Sequence, residues 1–588
     1  MKLHTIYNKV KGTSLVAATA LATVGGFTAC SDFLEIKPQN EIIFEDFWNE
    51  KTDVDAIVAG CYSALQSDPV MRRMMIWGEF RSDNITAGLN IDKDLNLDNI
   101  FKENLTANNG YTAWGDFYNI INRCNTVIKY APDVAQRDPS YSQSELAATI
   151  AEVSAIRDLC WFYLIRTFRD VPFSNEAFTD DDQVMDLPAT PFDQVLDFLI
   201  SDLEQQQGAA IYRYPETSPL YQTGRVTRTF IHAMLCELYL WKKDYANCVR
   251  YADLVIDEKL KMKEEEEQKR SYMQRDDSEK FNGFPLISER YSDTQWGAAF
   301  ASIFSTGNSS ESIFELTFNK ENQNMLSNSA VNALFGNPEA VVGFAKPADF
   351  IAEDGKDNSA YKLFTNKYDT RAYEFRNNQG SLTGVAKFVL RGQTVSTANT
   401  EPELVSRGVM YAKDKNKSNW IIYRLTDIML LKAEALVEMM IPGAEVDLSD
   451  EQKAYNESLL QRAFSLVNAI NKRSICQNTL KDTLVYSDYN SKALMGDLVM
   501  LERQRELMFE GKRWYDLVRR SQRDGNTDVL VKLATQKVSD NLSVVQSRLA
   551  RMDAIYWPYN LDELKVNKNL KQNPAFGSGE TGNYEKTN

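Results

Sequence analysis

Apolar residues recur every three to four positions over several long stretches of this 588-residue chain, and that spacing predicts helices. Across 44–65 the apolar positions are Phe47, Val54, Ile57, Val58, Cys61 and Leu65. Across 114–130 they are Phe117, Ile120, Ile121, Cys124, Val127 and Ile128. The stretch 146–168 predicts a long helix that closes on Trp161, Phe162, Tyr163 and Phe168. Asp170-Val171-Pro172 ends it, because the residue before a proline is driven out of the helical region. Pro191 opens a further helix over 192–207.

Two stretches have the layout of helical hairpins. Residues 227–241 form one predicted helix, Lys242-Lys243-Asp244-Tyr245 a turn, and 246–256 the return helix. Ala233, Ala246 and Ala252 are small enough to let two helices approach closely. The second hairpin is 424–439 followed, after an insertion, by 459–473. The pair within 114–168 makes a third. Such units are similar to tetratricopeptide repeats, which bury their faces by stacking.

From about 258 to 420 the pattern changes. Asn, Ser, Gly and aromatic residues are common there and apolar runs are short. Ile313-Phe314-Glu315-Leu316-Thr317-Phe318 alternates and predicts a strand. The charge-dense run 259–277, with four glutamates at 264–267, reads as a solvated helix or loop. The fold class is therefore mainly α: a tetratricopeptide-like scaffold with a large, irregular, loop-rich remainder. Long insertions on such a frame are where binding sites tend to sit.

The first 29 residues differ from all of this. Lys2, Lys9 and Lys11 precede an apolar run over 15–27, and Phe27-Thr28-Ala29 ends in small residues before Cys30. That is the order of a secretory signal peptide, and the run is too short to cross about 30 Å of hydrocarbon. Phe27-Thr28-Ala29-Cys30 resembles a bacterial lipobox, which makes Cys30 the expected lipidated first residue of a single mature domain over 30–588.

Without that segment the chain carries 63 basic and 82 acidic residues, a net charge of −19. This repels nucleic acid and anionic lipid, and it tolerates neutral or cationic ligands. Only His232 remains as a candidate for histidine chemistry, and its apolar helical surroundings make it a core residue. Zinc sites built on several histidines are excluded. Cys61, Cys124, Cys160, Cys236, Cys248 and Cys476 have no C-x-x-C spacing, and most fall in helical apolar runs, so free buried thiols are expected.

Several ordered segments together resemble one family. They are Cys30-Ser31-Asp32-Phe33-Leu34, Glu79-Phe80-Arg81-Ser82-Asp83-Asn84, the Trp114…Tyr118…Ile121…Asn125…Ile128 spacing and Arg169-Asp170-Val171-Pro172-Phe173. Arg424-Leu425-Thr426-Asp427 and the block Glu502-Arg503-Gln504-Arg505-Glu506-Leu507-Met508-Phe509-Glu510-Gly511-Lys512-Arg513-Trp514-Tyr515-Asp516-Leu517 follow, then Asn567-Lys568-Asn569-Leu570. Taken in order they look like the SusD/RagB family of nutrient-binding outer-membrane lipoproteins. The resemblance implies four tetratricopeptide-like helix pairs. It also implies a surface-exposed lipoprotein of the cell outer membrane, held by its lipid anchor, that caps a SusC-like TonB-dependent transporter and hands it an oligosaccharide or peptide. No catalytic activity and no cofactor are implied. The alternative is a surface glycoside hydrolase with two carboxylates facing each other about 5–10 Å apart across a cleft.

Within the late block, Arg503, Arg505, Glu506, Glu510 and Arg513 read as a structural ion-pair network, and Gly511 as a helix C-cap. Arg81-Ser82-Asp83-Asn84 either braces the fold or turns Asn84 toward a ligand. Sugar capture needs flat rings and planar polar groups. Trp296 and Tyr291, set among Ser292, Asp293, Thr294 and Gln295, are candidates; so is Tyr111, beside Asn109, in a segment where the resemblance implies ligand contacts. An exposed surface shared by Trp296, Tyr111 and Asn84 or Asn109 is expected. Asp92, Asp94, Asn96, Asp98 and Glu103 match a calcium-loop spacing, but Leu97 stands where that loop needs glycine, so no metal is assigned.

Overall fold

The computed structural model describes residues 47–577, apart from 181, 270–280, 282, 319–326, 337–342, 352–361, 380–381, 400, 413–414 and 477–482. The chain divides into units at 1–47 and 48–588, and the architecture below is that of the second. Cys30, the signal-like segment and the expected helical residues 44–46 lie outside the described residues.

Helices α1 (Lys51–Leu65) and α2 (Asp68–Met75) open the unit. Asp53 starts α1 by accepting the Glu50 backbone N–H at 2.8 Å. The hairpin α3 (Gly115–Arg137) and α4 (Gln143–Phe168) follows. Ser142 and Glu145 cap α4 reciprocally. Arg169, in a positive-φ conformation at 70°, turns the chain into Asp170-Val171-Pro172. Helix α5 (Phe192–Gln206) packs on α4.

The next hairpin is α6 (Arg228–Lys242) and α7 (Tyr245–Lys269). Thr227 caps α6 by accepting the Phe230 N–H, and Lys243 ends it in the left-handed region. The return helix runs thirteen residues beyond Ile256, through the four glutamates; the charged run is helix on this side. Then α8 (Leu425–Glu438) packs against both α7 and α9 (Asp450–Ser474), which joins the hairpins into one stack. Helices α10 (Lys492–Leu507) and α11 (Arg513–Asp524) close the frame.

The remainder is made of short strands. β1 (Arg290–Ser292) and β2 (Gln295–Trp296) form a hairpin, and β4 (Thr394–Ser396) pairs with β2 and with β5 (Glu403–Ser406). β3 (Ser312–Leu316) pairs antiparallel with β6 (Trp420–Arg424), and β6 runs directly into α8. All five residues of each strand in that pair are buried. The mainly α scaffold with an irregular remainder is thus the fold of this chain.

The six cysteines are free and buried. Two pairs stand close, with sulfurs 3.7 Å apart: Cys61 with Cys124 between α1 and α3, and Cys236 with Cys248 between α6 and α7. Burial pushes the Cys124, Cys160 and Cys236 thiols well above their usual range. His232 is held neutral: burial, then Arg228 and Arg250, lower it to about 4.

Candidate functional site

The charged residues of the late block point inward. Glu506 accepts from Arg424 at 2.6 Å, Arg371 at 3.0 Å and Arg473. Glu510 accepts from Arg424 and from Lys387 at 2.8 Å. Arg503 bridges Asp516 and Asp427, and Arg505 stands 3.5 Å from Glu502. Arg513 clamps Asp83. Each guanidinium and carboxylate in this set is at most 10% exposed in its side chain. Burial opposes ionisation of Asp427, yet Lys512 and Arg503 hold its carboxyl down to about 2. These buried groups pair with one another and brace the fold.

Glu79 belongs to the same brace. Its carboxylate accepts the backbone N–H groups of Phe509, Gly511 and Lys512. Gly511 is not a helix C-cap, because α10 ends at Leu507. It lies in the turn before α11, at φ 71°, where its carbonyl touches Gly78: a Cβ on Gly78 would stand 1.9 Å from it. Asn84 is fully buried, donates to Glu79 at 2.8 Å and accepts from Gln504 at 2.8 Å. Asn84 therefore does not face a ligand, because both ends of its amide are spent inside the brace.

The turn at 109–112 lies elsewhere. Asn109 is 3% exposed. Its amide oxygen caps the turn by accepting the Tyr111 N–H, and its Nδ2 donates to the Asn96 carbonyl at 2.8 Å. Asn109 thus shapes the loop and offers no free amide. Tyr111 is half-buried, and its hydroxyl donates to Asp94 at 2.7 Å. Burial and Asp94 push that phenol above its usual range, with Arg72 opposing. Leu89 and Leu95 are exposed in the same stretch of chain. Asp94 also caps the helix Leu95–Phe101 through the Leu97 N–H, and Glu103 is spent on Arg81. Among the described residues, no cluster of three or more His, Cys, Asp or Glu side chains is placed to hold a metal.

Trp296 differs from the expectation of an exposed ring: it is 5% exposed. Its strand is an inner one, with β4 pairing Val395 opposite Trp296 and the Arg290 guanidinium 5.6 Å from the ring. The polar neighbours that suggested a loop form the β1–β2 turn. Tyr291, on the outer strand of that hairpin, is 50% exposed. Beneath it, Glu289 and Glu374 interact through buried side chains. Burial raises the Glu289 carboxyl to about 7 and the Glu374 carboxyl well above its usual range. The structure therefore pairs Asn109 with Tyr111 and Tyr291 with Trp296, and it sets Asn84 apart from both. The accessible rings are Tyr291 and, in part, Tyr111.

A cleft of about 830 Å³, which the sequence reading missed, lies where α4 and α6 end. Trp241 and Tyr556 line it, and Arg169, Lys242, Lys243 and Arg551 bring charge to it. Its one sequence signal was the Lys242-Lys243 turn.

Comparison with known proteins agrees with this architecture. The model of the SusD family matches residues 403–576. SusD-like protein P38 of Formosa agariphila is 24% identical over 568 residues, spanning 95% of this chain and 97% of that protein. The crystal structure of a SusD superfamily protein from Bacteroides vulgatus superposes with a TM-score of 0.62 at 18% identity, covering 90% of this chain and 99% of that one. A laminarin-binding SusD-like protein gives 0.58 at 17% identity, covering 90% and all of its own chain. The buried late block lies within the SusD-family match, and the stacked hairpins agree with SusD-like proteins to which the chain is similar over almost its whole length.

Proposed function

We propose that this protein is a surface-exposed, nutrient-binding lipoprotein of the outer membrane, anchored through Cys30. In this reading it captures an oligosaccharide and passes it to a SusC-like TonB-dependent transporter. The half-exposed ring of Tyr291, on an outer strand among polar residues, carries the reading. A flat ring on a polar surface suits the apolar face of a sugar. The likeness to a laminarin-binding protein over nine-tenths of the chain supports a glycan ahead of a peptide. The net charge of −16 favours a neutral one.

A catalytic role has less support. The close carboxyl pair of the remainder, Glu289 and Glu374, is buried and in mutual contact. A glycosidase instead holds its carboxyls apart on either side of the scissile bond. Calorimetric titration of the purified chain with neutral oligosaccharides, beginning with laminarin fragments, tests the reading. Binding that weakens at least about five-fold in Tyr291→Ala supports it. Sustained release of shortened sugars by the pure protein would replace it with the hydrolase.

A further inference from the structure

A second surface feature, not lined by Tyr291, lies between the short helix Tyr221–Gly224 and the ends of β3. Here a cavity of about 410 Å³ opens, at the small end of the range of about 300–1,000 Å³ for ligand pockets. Thr217, Ser218, Thr306 and Thr317 bring hydroxyl groups to it, and Asn308 an amide. Among the described residues no carboxylate lines it, and Lys417, which already interacts within the protein, is its single charged residue.

Its aromatic wall is Tyr221, 46% exposed. That ring is held from behind. Tyr214 meets it edge-on at 5.7 Å, and the Arg225 guanidinium lies 5.3 Å from its centroid. Arg225 is fixed in turn by two hydrogen bonds to Glu152, of 2.8 and 2.7 Å, and Tyr62 donates to the same carboxylate. A ring already ordered loses little entropy when a ligand stacks on it. The opposite wall is equally set. Asn308 sits at φ 51°, and its Oδ1 accepts from Thr223 at 2.5 Å. Its Nδ2 has no protein partner among the described residues and is left to donate. Gln66 pins the main chain of Thr317 at 2.6 Å.

We propose that this cavity is a second carbohydrate subsite, which takes a neutral pyranose unit stacked on Tyr221 and hydrogen bonded by Asn308 and the surrounding hydroxyls. The assignment rests on the glycan-binding reading above. Donors and hydroxyls without a carboxylate match a ligand whose own groups are hydroxyls, and Lys417 is already engaged within the protein.

The test is an array of neutral and uronate-bearing oligosaccharides, probed with the full purified chain and with Tyr221→Ala, Tyr221→Phe and Thr306→Arg. Thr306 is exposed, so the arginine fills the cavity without touching the core. Melting temperatures are read alongside. The expected result is binding to neutral glycans that falls at least about five-fold in Tyr221→Ala and Thr306→Arg, persists in Tyr221→Phe, and leaves melting unchanged. Neutral binding that both variants leave intact overturns the subsite and spares the glycan-binding reading. Binding confined to uronates overturns the ligand class. No binding to any glycan overturns both.

Discussion

Arg513 meets Asp83 through two hydrogen bonds, of 2.8 and 2.9 Å, although 430 positions of chain separate them. Both side chains are almost without solvent. Asp83→Asn keeps the shape and removes the charge, which leaves a buried guanidinium uncompensated. The expected loss is about 3–5 kcal/mol, read from the denaturant midpoint. A loss below about 1 kcal/mol would mean that water or another acid reaches Arg513.

Gly78 and Gly60 separate two kinds of glycine. A Cβ on Gly78 meets the Gly511 carbonyl, whereas on Gly60, inside α1, the nearest atom is an Arg123 nitrogen at 3.7 Å. Gly78→Ala should abolish soluble folded protein. Gly60→Ala should stabilise it by up to about 1 kcal/mol, since alanine is the better helix former. Equal melting temperatures for the two variants would refute the close contact.

Trp296 and Tyr291 should part in the same way. Trp296→Ala empties a buried site and is expected to cost about 3–5 kcal/mol. Tyr291→Ala should shift stability by less than about 0.5 kcal/mol while weakening sugar binding. If thermal melts show both variants near the parent, the tryptophan is not core.

Stability should fall as pH rises from about 4.5 to about 7. The Glu289 carboxyl, raised by burial, stays protonated in the folded chain to about pH 7, with the Glu374 hydrogen bond and Arg473 opposing and Glu506 adding to the rise. The unfolded chain releases that proton near pH 4.5. The stability it contributes is therefore full below 4.5 and is lost as pH rises through 7. Glu79, also raised by burial to about 7, acts in the same window. Asp427, held at about 2, works at the other end and loses its contribution only as pH falls toward 2. Melting temperatures of Glu289→Gln should decline less steeply from pH 4.5 to 7 than those of the parent; parallel curves would remove Glu289 from the account.

Cys30→Ala should move the protein from the membrane to the soluble fraction of a cell lysate. Retention in the membrane would put the anchor elsewhere.

The helices were legible because their signals are local. The apolar spacing of 228–242 and 425–438 and the Ser142–Glu145 capping pair need no distant partner to be read. The late block was legible for a related reason: alternating acids and bases among leucines on one helix imply buried pairing. Trp296 was misread because its burial comes from β4, about a hundred residues later, which sequence spacing does not reveal. Asn84 was left open because its partners, Glu79 and Gln504, lie one turn away and 420 positions away. Pinned Tyr221 depends on Arg225 and Glu152, which no motif links.

The brace between 79–84 and 503–513 also sets a timetable. Glu79 and Asp83 cannot be satisfied until Gly511, Lys512 and Arg513 exist, so a chain emerging from the ribosome lacks the means to close its core until more than five hundred residues have been made. Early helices can form, but the whole stays open and threadable. On the proposed outer-membrane location that delay is useful, because a translocation channel passes a chain that has not yet locked.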